Sequence, residues 1–314
     1  MLNVKIRNIV MWGIMYKNCI IAIIVGCLFS ACGGIQVVNP PTAGIGEIRV
    51  MNPPTITAMN LRVVNPPDLS GVISFNSQSG IYVSIIQYGD TVVDLTNGQP
   101  VYLDPQGSGS TRLKNLLTRN YTASTASGSP VYYAMHKALA TINTIKNSLP
   151  DDLDSVSIVS FAATNDQGSA GTKLPAIDGQ RITSSGDYAA YIQQQLGRQR
   201  VNNKTIDAYS IGLDRANMSG ADRTQFTTTL SNLVTGRQTS RVYRSTMLTN
   251  LSARFKTVAS RLKVVQTKKN SALIYLILDN STAVTANGST GISTVRKAAQ
   301  DFIDTLQATA AVMQ

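Results

Sequence analysis

The chain has 314 residues, 43% hydrophobic and 14% charged, which is enough apolar material for a real core and excludes disorder throughout. Its formal net charge is +11, its one histidine is His136 and its only glutamate is Glu47. His-rich metal sites are therefore excluded, and any Ser/His/Asp or Cys/His mechanism would hang on a single residue. The three cysteines, Cys19, Cys27 and Cys32, all precede residue 33, so the body of the chain has no thiol chemistry, thiolate zinc or disulfide.

From the N-terminus, Lys5, Arg7 and Lys17 with no acid precede the apolar run Ile20 to Phe29, and Ser30-Ala31-Cys32-Gly33-Gly34 follows. That is a basic region, a short hydrophobic region and a small-residue cleavage site. As helix the run reaches only about 15 Å, half of a hydrocarbon core of about 30 Å, so residues 1–31 are expected to be an export signal and not a transmembrane span. Phe29-Ser30-Ala31-Cys32 resembles the lipobox of bacterial lipoproteins, with Phe29 where the family prefers Leu. The resemblance implies a lipid on Cys32, which becomes the mature N-terminus, and a place in the cell envelope, at the outer membrane or cell surface. Removing Lys5, Arg7 and Lys17 from 28 basic residues leaves 25 against 17 acids, a mature net charge of +8. A basic surface near anionic headgroups or glycans is expected, and no interleaved basic and aromatic motif points to nucleic acid.

Residues 32–71 contain Val37-Val38-Asn39-Pro40-Pro41, Val50-Met51-Asn52-Pro53-Pro54 and Val63-Val64-Asn65-Pro66-Pro67, the asparagines thirteen apart each time. Proline cannot donate to a ladder and pushes the preceding residue toward extended backbone, so each unit reads as a short extended run closed by a stiff turn. The expected role is a semi-rigid spacer, the other reading being edge strands laid on the domain.

Residues 72–314 read as one globular domain. Ile81 to Tyr88, Val156 to Phe161, Ile206 to Ile211 and Leu273 to Leu278 are rich in β-branched and aromatic residues and predict buried strands. Apolar spacing predicts helices over Val131 to Ile145 and Ile292 to Leu306, with further helices over Asp187 to Leu196, Asp222 to Val234 and Leu251 to Leu262. Strands separated by helices predict an α/β fold whose mainly parallel central sheet carries helices on both faces. His136 falls beside the apolar stripe of its helix and is expected at the surface or its boundary. The run Asp151, Asp152 and Asp154 is expected to be a solvated turn, not a catalytic pair.

Leu276-Ile277-Leu278-Asp279-Asn280-Ser281-Thr282-Ala283 resembles the first strand and Asp-x-Ser-x-Ser loop of von Willebrand factor type A domains. Val159 to Ser169 is similar to a later strand and loop of that family, and Ser127-Gly128-Ser129-Pro130-Val131-Tyr132-Tyr133-Ala134 to the start of the intervening helix. The unit that normally opens the fold comes last here, which implies a circular permutation; the competing arrangement hides the opening strand between Val72 and Leu103 and makes Leu273 to Gln314 an added unit. The resemblance further implies a metal-ion-dependent adhesion site. Carried over residue by residue, Asp279, Ser281 and Ser129 fill ligand places, whereas Ala283 stands for the second Ser and Ala163 for a third-loop Asp, with Asp166 as a compensating ligand only if its loop rearranges. No cofactor is required by this reading, and Mg²⁺ binding is expected to be weak. The implied function is non-catalytic adhesion or assembly with a protein or surface glycan. The alternative is a structural envelope protein that self-associates through its Asn-Pro-Pro repeats.

Overall fold

The computed structural model describes residues 79–125, 127–171, 173–215, 218–262, 270–286 and 288–312. The expected export signal, Cys32 and the repeats lie outside the described residues. In chain order the elements are β1 (Ile81–Tyr88), β2 (Val92–Asp94), β3 (Val101–Tyr102), α1 (Ser108–Asn120), α2 (Val131–Ile145), β4 (Leu153–Ala162), α3 (Ser185–Arg198), β5 (Arg200–Val201), β6 (Lys204–Leu213), α4 (Gly220–Asn232), β7 (Val242–Ser245), α5 (Leu251–Arg261), β8 (Ser271–Asp279), α6 (Thr282–Thr285) and α7 (Gly291–Val312).

β1, β8, β4, β6 and β7 lie side by side in that order and run parallel. β2 and β3 pair antiparallel with β1, and β5 pairs antiparallel with β6. The long strands are those predicted from β-branched runs, and every residue of β8 is buried. Its side chains alternate between two cores, as strand geometry requires. Ile274, Leu276 and Leu278 pack with Leu113 of α1, Phe255 of α5 and Phe302 of α7. Leu273, Tyr275 and Ile277 pack with Leu139 of α2 and Ile192 of α3. The result is a mixed α/β fold, its sheet mostly parallel and covered on both faces. β8 sits between β1 and β4, inside the sheet and not at its edge.

The sequence expectations need several corrections. α1 was not predicted: only Gly109, Ser110, Leu113 and Leu117 of its thirteen residues are buried, too thin a stripe to read as helix. Gly109 is required there, because a Cβ would stand 1.9 Å from the Tyr102 carbonyl oxygen of β3. The short strands β2, β3, β5 and β7 are edge pieces of two to four residues, below the length at which alternation is legible. α4 ends at Asn232, two residues before the predicted Val234. His136 is not at the surface: it is 2% exposed, since Tyr188 and Tyr191 of α3 cover its face of α2. Of the acidic run, Asp151 is exposed in a turn as expected, whereas Asp152 and Asp154 are half-buried and structural. Asp152 accepts from Ser79 and, at 2.6 Å, from Ser271, while Asp154 pairs with Lys204 at 2.6 Å.

Candidate functional site

Parallel register brings the carboxyl ends of the central strands together: Tyr88 is opposite Asp279, Phe161 opposite Leu278, and Ala162 opposite Gly212. Ligands of open α/β sheets gather at such ends. Here Asp279 is the last residue of β8 and has no solvent exposure. A buried carboxylate needs donors, and the chain supplies them. Ser129 Oγ donates to Asp279 Oδ2 at 3.2 Å, Ala163 N donates to the same oxygen at 3.0 Å, and Ser281 N donates to Oδ1 at 2.9 Å. Burial pushes the Asp279 carboxyl above its ordinary range, against the pull of these hydrogen bonds.

Three residues singled out from sequence, Asp279, Ser281 and Ser129, are thus brought together, and all three are fully buried. Ser281 Oγ accepts from Ala283 N at 3.3 Å and caps the short helix α6. Ala163, expected at a ligand place, takes part only through its backbone N–H. Asp166 is committed elsewhere. It accepts from Tyr132 N at 3.0 Å, from Ser169 Oγ and from Ser185 Oγ at 3.4 Å, so it clamps its loop to the starts of α2 and α3. Burial raises its pKa to about 6. The same loop reaches Ser129 through Gln167, the two residues exchanging backbone bonds of 2.9 and 3.0 Å.

Residues that sequence reasoning missed complete the frame. Tyr121 OH donates to the Asp279 carbonyl oxygen, and Tyr88 OH donates to the Phe161 carbonyl oxygen at 2.8 Å. Asn280 N donates to the Tyr88 carbonyl at 2.8 Å, its own carbonyl accepts from Ser124 N at 2.8 Å, and its Nδ2 donates to the Thr122 carbonyl at 2.9 Å. Gly89 admits this arrangement, since a Cβ there would lie 2.3 Å from Asn280 Oδ1. The adjacency of Gly89 to Tyr88 was visible in the sequence; its contact with a residue almost two hundred positions later was not.

The residues present do not fit a tight Mg²⁺ site. The ion prefers octahedral oxygen ligands with carboxylate charge. Here a single carboxylate accepts three chain donors, and among the described residues no group of three or more His, Cys, Asp or Glu side chains is placed to hold a metal. Compared with protein-family models, curated proteins and solved structures, the chain finds no match. The site must be read from its own geometry. Among the described residues no helix is long and apolar enough to cross a membrane.

His136 forms a separate cluster on α2. Its Nδ1 and Nε2 each lie 3.0 Å from a hydroxyl, of Tyr188 and Tyr191 respectively, and burial holds its pKa below the ordinary value. A neutral imidazole satisfies both hydroxyls, one as acceptor and one as donor, which is a structural role.

Proposed function

We infer that this chain is an envelope lipoprotein whose domain is a circularly permuted relative of von Willebrand factor type A domains, acting in non-catalytic binding of a protein or surface glycan. The observation that carries the reading is the place of Asp279: the Asp-x-Ser loop follows the central strand, and Ser129, from the loop before α2, reaches the same carboxylate. In the family that strand opens the fold; a chain whose last strand takes the central place is what a permutation predicts. The three donors on Asp279 support a site degenerate for metal, in which the carboxylate organises loops and leaves recognition to their outer surface. Ser30-Ala31-Cys32 supports the anchor, and the mature net charge of +8 suits an anionic envelope.

Two measurements test this. Cys32→Ser should release the protein from the membrane fraction, because acyl chains contribute about 0.8 kcal/mol per buried CH₂. A photo-crosslinking side chain at Gln167, exposed beside the Asp279 loops, should give a discrete heavier adduct in cells that persists in EDTA, and one at Asn203, on the β5–β6 turn, should not. An adduct of twice the chain mass would instead favour self-association, and equal yields from both positions would count against a binding surface at the strand ends.

A further inference from the structure

α2 and α3 pack side by side, and beyond their C-terminal halves they leave a groove of about 350 Å³. It lies at the opposite end of α2 from Ser129, about 22 Å away for a fifteen-residue helix. Lys146, Arg198 and Arg200 line it together with Asn143, Gln195 and one acid, Asp178. Some basic side chains elsewhere are matched: Lys204, Arg241, Arg244 and Lys297 each hold an aspartate within 3 Å. Among the described residues Lys146, Arg198 and Arg200 form no such pair. Lys146 Nζ donates to Asn143 Oδ1 at 3.0 Å and Arg200 Nη1 to the Gln199 carbonyl at 2.9 Å, which orients both heads without neutralising them.

The bland reading is that these cations offset the negative ends of α2 and α3. Each helix end carries about half a charge, so even with Asp178 the groove keeps an excess of about one positive charge. Its volume suits a small ligand group, two guanidinium forks match phosphate oxygens, and Asn143 and Gln195 can supply amide donors. We propose that the α2–α3 groove is a second binding site, specific for a phosphate group, whose chemistry is shared by a phospholipid headgroup and a soluble phosphorylated compound. The site is independent of the Asp279 loops and would present them away from whatever bears the phosphate.

The test is calorimetric titration of the full-length chain at low ionic strength with inorganic pyrophosphate, and in a second arm with dihexanoyl phosphatidylglycerol below its micelle concentration. Saturable binding in either arm is expected. The variant Lys146→Gln/Arg198→Gln/Arg200→Gln should weaken it about ten-fold or more, a loss of about 1.4 kcal/mol. Arg223→Gln/Arg254→Gln/Arg119→Gln, which removes the same charge at exposed positions elsewhere, should change it less than about two-fold. Binding of phosphatidylglycerol assigns the headgroup as source, and binding of pyrophosphate alone assigns a soluble compound. No binding in either arm, or an equal loss in both variants, overturns the proposal.

Discussion

Ser129 Oγ donates to Asp279 Oδ2 at 3.2 Å, joining side chains 150 positions apart at the carboxyl end of the central strand. Both residues are fully buried, and the same carboxylate also satisfies Ala163 N and Ser281 N. One side chain therefore ties the loops before α2, after β4 and after β8 into a single surface.

Asp279→Ala should destabilise the domain by about 2–4 kcal/mol, because it leaves three buried donors without an acceptor. Asp279→Asn keeps the shape and one acceptor and should cost less. Urea denaturation of the three proteins checks this; a loss under about 1 kcal/mol for the alanine variant would mean that the carboxylate does not organise the loops.

The pH dependence has two opposing parts. Burial raises Asp166 to about 6 and raises Asp279 as well, so the folded state retains protons that the unfolded chain releases near pH 4. Both contributions are present at low pH and are lost as pH rises, that of Asp166 from about 4 through 6. His136 is depressed by burial, so the unfolded chain takes up its proton first and stability falls as pH drops below about 6.5. Relative to Asp166→Asn, the natural protein should lose stability between about pH 4 and pH 7. A natural protein that gains on the variant over that range would reverse the assigned direction.

β8 is the least dispensable element. Its six consecutive apolar residues, Leu273 to Leu278, are 0–1% exposed, and their burial contributes on the order of 10 kcal/mol, comparable with the whole net stability of a domain. A chain lacking residues 271–314 should show no cooperative thermal transition. A sharp transition in that truncated chain would make β8 peripheral despite its place in the sheet.

How much was legible follows from where the information lies. β8 announced itself because a strand covered on both faces must be apolar at every position, and α2 because ten of its fifteen residues face inward. Asp279, Ser281 and Ser129 could be grouped from motif resemblance alone. The role of Ala163 could not, because it acts through a backbone N–H that every non-proline residue carries. His136 was misplaced because nothing local showed that Tyr188 and Tyr191 would close over it. The groove at Lys146, Arg198 and Arg200 was invisible for the same reason, its cations coming from the residue after α2, the last residue of α3 and the first of β5.

The proposed reading, a site at Asp279 with von Willebrand-like geometry but too little charge for metal, is tested most directly by Mg²⁺ calorimetry on two proteins. The natural chain should give no binding heat beyond dilution. Ala163→Asp/Ala283→Ser, which sets a second carboxylate against Asp279 and restores a hydroxyl, should be less stable without the ion and should bind it, regaining about 2.7 kcal/mol of stability at Mg²⁺ a hundred times its dissociation constant. Strong binding by the natural chain would contradict the degenerate site, and no gain in the double variant would contradict the family-like geometry.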